Sequence, residues 1–170
     1  MGDAAPPPPP PLIVVDHATL APRERALVRH LEAAYTPALV ADVLRPLVAS
    51  TTPLSLRCLD WAVTNWSKKH NVVCATPTVP PRMTNVHHAY RAALAFWTRK
   101  LFDPFRRRAR ILVRDGDALL ETTLGQANFA IWSYNSGVLA YVLGHLEDIE
   151  ADMNAVSQAQ KRERREALRR

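Results

Sequence analysis

The chain has 170 residues, 48% of them apolar, and 22 Lys and Arg against 16 Asp and Glu give a formal charge of +6. Length and apolar content suffice for one domain with a sizeable core. Two cysteines are too few for a disulfide framework, and no uninterrupted apolar run approaches the ~18 residues of a membrane span.

Met1–Pro11 reads as a flexible, disordered leader. Its six consecutive prolines, Pro6–Pro11, favour an extended polyproline helix without internal hydrogen bonds. Its acidic, proline-rich start does not resemble a secretory signal. Leu12–Val15 is a short apolar run suited to an edge strand or to a tuck into the core. Thr19–Tyr35 reads as a first helix, with Leu27, Leu31 and Ala34 at helical spacing and Pro22 in the first turn, where its missing N–H costs little. Thr36–Pro37 starts a second helix that Pro46 kinks or shortens. Ser50–Pro53 opens a third, with Leu56, Leu59, Ala62, Val63 and Trp66 as the buried stripe. Lys68 and Lys69 suit the negative end of its dipole. Val72–Ala75 reads as a short strand, and Thr84 as the cap of a fourth helix, Asn85 to Leu101, with Tyr90, Leu94, Trp97 and Leu101 inward.

The densest positive charge follows. Arg99, Lys100, Arg106, Arg107, Arg108, Arg110 and Arg114 stand against Asp103 alone, a local charge of +6. From Arg108 the pattern has period two, with Ala109, Ile111 and Val113 on one face and Arg108, Arg110 and Arg114 on the other. Asp115–Gly116 accepts the positive φ of a tight primed turn, and Ala118–Thr122 is the return strand. Thr122 or Thr123 caps the next helix, and Thr123 with Gln126 fits a capping box. The helix it opens carries Phe129, Ile131 and Trp132 as a core face and ends at Asn135–Ser136–Gly137, with glycine suited to the left-handed C′ position.

After Gly137 a single long helix is expected. Val138, Val142, Leu146, Ile149, Met153 and Val156 form a narrow apolar seam that either closes the domain or pairs with a second subunit. Glu147, Asp148, Glu150 and Asp152 form an acidic patch. The tail from Lys161, including Arg162, Arg164 and Arg165, holds six basic residues against two acidic ones. It projects into solvent or onto a polyanion.

Catalytic signatures are scarce. The six histidines (His17, His30, His70, His87, His88, His145) are scattered, without the convergent spacing that metal ligation needs. No phosphate-cradling glycine loop and no GxSxG occur. Cys58 reads as a buried free thiol, and neither it nor Cys74 lies in an activating context. Asp60, Asp103 and Glu121 are candidate acids that equally suit salt bridges or caps. Phe102, Phe105, Trp97 and Trp132 lie among the arginines. Because all four also fit buried helical faces, contact with a duplex backbone is favoured over base stacking.

Three segments, LDWAVTNWSKKHNVV (Leu59–Val73), FDPFRRRARI (Phe102–Ile111) and ETTLGQANFAIWSYNSGVLAYV (Glu121–Val142), resemble an uncharacterised family of large nucleocytoplasmic DNA viruses of algae and amoebae. The resemblance spans residues 54–153 and rests on a Trp-Ser-Lys-Lys element, an Asp-Pro-Phe followed by basic residues and a Thr-Thr-x-Gly-Gln-x-Asn-Phe element. It implies a virion or infected-cell setting and carries no established activity or catalytic residue.

The sequence therefore predicts an α+β, mainly helical domain at 17–156 with about six helices and a small hairpin. It is flanked by the leader at 1–16 and a basic helical extension at 157–170. The expected function is non-enzymatic, without cofactor or metal. Nucleic acid, most simply duplex DNA, would meet the phosphate-gripping side chains Arg99, Lys100, Arg106, Arg107, Arg108, Arg110, Arg114, Lys161, Arg162, Arg164 and Arg165. The alternative is a virion structural or scaffolding protein with a partner interface, or a homo-oligomer, along Val138, Val142, Leu146, Ile149 and Met153. There the arginines would meet an acidic protein surface. The expected setting is an intracellular, reducing one: host nucleus, cytoplasm or virion.

Overall fold

The computed structural model describes residues 9–105 and 107–169. Most of the proline leader, Arg106 and Arg170 lie outside the described residues. The described chain opens with β1 (Ile13–Val14), a single helical turn (His17–Thr19) and α1 (Pro22–Ala34). A second helical passage runs from α2 (Pro37–Leu39) through a π turn (Val40–Leu44) into α3 (Arg45–Ala49). A third runs from α4 (Leu56–Trp61) through a π turn (Ala62–Trp66) into α5 (Ser67–Lys69). The hairpin β2 (Val73–Ala75) and β3 (Met83–Asn85) leads to α6 (Val86–Leu101). The hairpin β4 (Arg110–Asp115) and β5 (Ala118–Thr123) leads to α7 (Leu124–Asn135). Then α8 (Val138–Gly144) and α9 (Leu146–Ala167) follow. The fold is mainly helical α+β, as the sequence predicts.

The centre is α7. Nine of its twelve residues are buried, Gln126, Asn128 and Ser133 among them. It packs against α1, α6, α8 and the Val40–Leu44 turn. The sequence suggests one aromatic face, but the helix is enclosed all round, because its polar residues find partners inside. The Ser133 hydroxyl, for example, donates to the Ala130 carbonyl at 2.8 Å.

The three-stranded sheet has the order β1-β4-β5, all antiparallel, so the arginine-bearing strand is the middle one. Ile13 pairs with Val113, and Ile13, Ile111 and Val113 point into the core. Glu32 of α1 accepts from the backbone N–H groups of Leu12 and Ile13 at 3.1 and 2.6 Å. A carboxylate thus covers edge donors that would otherwise invite another strand. Asp115 pairs with Ala118, so the two turn residues are Gly116 and Asp117, one position beyond the expected pair. Gly116 takes φ +61°, as the first position of a type II′ turn requires.

Several helix boundaries differ from expectation for local reasons. Ser55, not Ser50–Pro53, caps α4, and Asn85, not Thr84, caps α6, each accepting from the backbone N–H three residues on. Thr84 is instead paired with Cys74 in the β2–β3 ladder. Thr123 caps α7, but Gln126 does not complete the capping box, because its side chain is engaged elsewhere. Pro46 does not end its helix: the preceding π turn widens the backbone where a proline ring crowds the carbonyl four residues back. The hydroxyls of Thr64 in the second π turn and of Ser67 just after it donate to the carbonyls of Asp60 and Val63 at 2.7 and 2.8 Å.

The expected long C-terminal helix is two helices, broken at His145 (φ −128°, ψ 22°). The seam folds inward. Val138, Val142, Ile149 and Met153 are buried, Leu146 is packed against the core, and α9 lies on α4 and the Ala62–Trp66 turn. This corrects the reading of those residues as a partner interface, because the chain's own helices already cover them. Lys69 and the Trp61 indole N–H both engage Asp152, the latter at 2.9 Å, clamping α9 in place. So Lys69 has a specific partner beyond dipole matching, and Asp152 is not part of a free acidic patch.

Candidate nucleic-acid interface

The basic stretch begins on a loop held from beneath. Gln126 Nε2 donates to the Pro104 carbonyl at 2.9 Å, its Oε1 accepts from the Thr122 hydroxyl at 2.8 Å, and Asn128 Nδ2 donates to the Leu101 carbonyl at 2.8 Å. The Asp103 N–H donates to the Gly125 carbonyl at 3.3 Å. Close approach is possible because residue 125 is glycine: a Cβ there would stand 3.3 Å from the Lys100 carbonyl oxygen. Phe102 is buried against Phe129, Trp132 and Tyr90. Residues 101–105 are therefore fixed by buried amides and aromatic packing, and the arginines rise from that base.

Their placement is mixed. Arg99, Arg107, Arg108 and Arg110 are exposed. Arg107 Nε lies 3.2 Å from Asp103, and its guanidinium sits 5.0 Å from the Phe105 ring centroid. Arg110 pairs with Glu121 across the hairpin at 3.6 Å, and Lys100 with Glu24 at 3.4 Å. Arg114 turns toward the sheet edge, its Nε donating to the Pro11 carbonyl at 3.0 Å. Arg108 makes no ion pair among the described residues. Arg106 lies outside the described residues. At the other end of the chain Lys161, Arg162, Arg164 and Arg165 are all exposed on the distal turns of α9.

Asp60, a candidate acid, stands close to this surface. Burial raises its pKa, Asp103 adds to the rise, and Arg107 and Arg99 oppose it. Tyr90 is raised chiefly by burial and shares these neighbours. Asp103 is occupied as an anchor, accepting from the Phe105 N–H at 3.0 Å while pairing with Arg107. Both thiols are buried. Burial, with help from Glu150, pushes Cys58 up to about 11, and burial raises Cys74, so each is protonated at neutral pH and poorly nucleophilic. Among the described residues no group of three His, Cys, Asp or Glu is placed to hold a metal ion, and no helix is long and apolar enough to cross a membrane.

One feature of this region has no sequence signal. A cleft of about 370 Å³ opens between α1, the end of α6, β4 and the first turn of α7. Its walls include Val15, Leu20, Leu101, Ile111 and Leu124, and Lys100, Arg108, Arg110 and Glu24 also line it. Glu24 and Lys100 are too far apart in the chain for any local pattern to join them. A break inside α6 helps deliver Lys100 there: Thr98 takes φ 65°, ψ 161°, a conformation nearly confined to glycine.

Comparison with known proteins agrees with the viral resemblance. The model of a family of unknown function, DUF7197, matches residues 31–170, including the basic tail that lay beyond the resembling segments. An uncharacterized protein of Acanthamoeba polyphaga mimivirus is 30% identical over 122 residues, covering 68% of this chain and 47% of the mimivirus protein. The chain thus spans about half the length of that relative. No solved structure matches. The chain belongs to the DUF7197 family.

Proposed function

We propose that this family member binds nucleic acid through its phosphate backbone, using Arg99, Arg107, Arg108 and Arg110 on one surface and Lys161, Arg162, Arg164 and Arg165 on the distal turns of α9. The observation that carries the reading is the base beneath the first group. Buried amides of Gln126 and Asn128 anchor Leu101 and Pro104, so the backbone that bears Arg99 and Arg107 starts from a fixed base and carries less ordering cost than a free tail. Guanidinium forks match phosphate oxygens, and such contacts are largely independent of sequence. Asp103 and Glu121 offset part of the charge on this surface, as Glu163 and Glu166 do on the tail.

The test is binding of the full chain to random-sequence duplex DNA across a salt series. Two variants accompany it, one with Arg107, Arg108 and Arg110 changed to Ala and one with Lys161, Arg162, Arg164 and Arg165 changed to Ala. Micromolar binding that weakens steeply with salt and drops in both variants supports the reading. Absence of binding at low salt, or equal binding by all three proteins, overturns it.

A further inference from the structure

We propose that the cleft between α1, α6, β4 and α7 binds a single nucleoside 5′-phosphate, with the base against its apolar walls and the phosphate on Lys100 and Arg108. This goes beyond backbone contact, since one nucleotide unit is recognised as a whole. It rests on the nucleic-acid reading only for where that nucleotide comes from. Three observations converge. The volume, about 370 Å³, lies in the range of small-molecule sites. Leu20, Leu101 and Ile111 give it an apolar interior, while Lys100, Arg108 and Arg110 outnumber Glu24, the partner of Lys100, among the lining charges, so the fitting ligand is an amphiphilic anion. The third is Glu24, whose carboxylate also lines the cleft. The Ala21 N–H, at 2.8 Å, and the nearby Lys100 ammonium hold it below the usual carboxylate range, so it stays ionised and ready to accept hydrogen bonds. A sugar hydroxyl or a base amino group donates such bonds and an acyl chain does not, which selects a nucleotide over a fatty acid.

The experiment is calorimetric titration of the full chain with a mixture of nucleoside 5′-monophosphates, with the parent nucleosides, with inorganic phosphate and with decanoate. The monophosphates are expected to bind roughly tenfold tighter than nucleoside or phosphate alone, the value of one charge-assisted contact. Arg108→Ala and Ala109→Trp, both at exposed lining positions, are expected to weaken them by about tenfold without changing the thermal midpoint. A short single strand with and without a 5′-phosphate separates the two sources. Tighter binding of the phosphorylated strand than of the same strand without its 5′-phosphate assigns the site to strand ends, and equal binding of the two strands, with monophosphate still bound, assigns it to free nucleotides. Failure of monophosphates to bind, equal binding of phosphate or decanoate, or indifference to both substitutions overturns the proposal. Ala109→Trp removes no charge, so duplex binding that survives in it, measured in the same buffer, separates failure of this site from failure of the backbone reading.

Discussion

The side-chain amide of Gln126 donates to the main-chain carbonyl of Pro104, 22 residues earlier, at 2.9 Å, and both groups are buried. The same amide oxygen holds the Thr122 hydroxyl. One side chain thus ties the start of the central helix, the end of the hairpin and the loop beneath the arginines.

Gln126→Leu leaves the Pro104 carbonyl and the Thr122 hydroxyl without a partner in the interior. Each orphaned group costs about 1–3 kcal/mol, so the variant is expected to lose about 2–6 kcal/mol in urea unfolding. An effect within ~0.5 kcal/mol would mean the loop is held by Phe102 packing alone.

Gly137 and Gly116 both take positive φ, +80° and +61°, yet their surroundings differ. A Cβ on Gly137 would stand 2.0 Å from the Ala75 carbonyl oxygen, while one on Gly116 meets nothing within 4 Å. Gly116→Ala is therefore expected to cost about 1 kcal/mol of conformational strain. Gly137→Ala must also push the β2–β3 hairpin away from α8, and it should cost several times as much by the same denaturation measurement.

Thr98 offers the opposite change. Its φ of 65° with ψ 161° suits glycine, so Thr98→Gly is expected to raise stability by about 1–3 kcal/mol. Measured destabilisation would show that the threonine side chain contributes more than its backbone strain removes.

Asp60 and Asp152 are expected to give opposite pH slopes. Burial raises the folded pKa of Asp60, so the native state holds its proton more tightly than the unfolded chain does. Its contribution to stability is therefore lost as pH rises from the ordinary aspartate value, about 3.9, through the raised one. Asp152 is lowered by its bonds to Lys69 and Trp61. Its contribution is present above about pH 3.9 and is lost as pH falls through the lowered value. Between pH 3 and 7, Asp60→Asn should gain midpoint temperature relative to the parent as pH rises, and Asp152→Asn should lose it.

Glu121→Gln tests the charge balance of the hairpin. Glu121 is exposed and pairs with Arg110 at 3.6 Å, so removing its charge should cost less than ~1 kcal/mol of stability. The same change leaves Arg110 more positive toward a phosphate, and duplex affinity at low salt should rise. Unchanged affinity would place the contact away from this strand.

Local chemistry made much of the fold legible. The β4–β5 hairpin, the Thr123 cap, the Gly137 stop and the apolar period of the C-terminal helices depend on neighbours within a few residues, and those neighbours are in the sequence. The position of α7 was not legible. Gln126, Asn128 and Ser133 look unsuited to a buried helix until Pro104, Leu101 and Ala130 supply their partners, two of which lie more than 20 residues away. The same holds for the seam, whose spacing predicts an apolar stripe but not what covers it.

The candidate site divides along the same line. The sequence by itself determined where the positive charge is concentrated, because charge belongs to composition. Only the tertiary structure decided which of those charges are offset, by Asp103, Glu121 and Glu24, and which stand open, as Arg108 does among the described residues. It alone joined Glu24 to Lys100 across the cleft. An electrostatic interaction is fixed by distance in space, and distance in space is set by packing rather than by order along the chain.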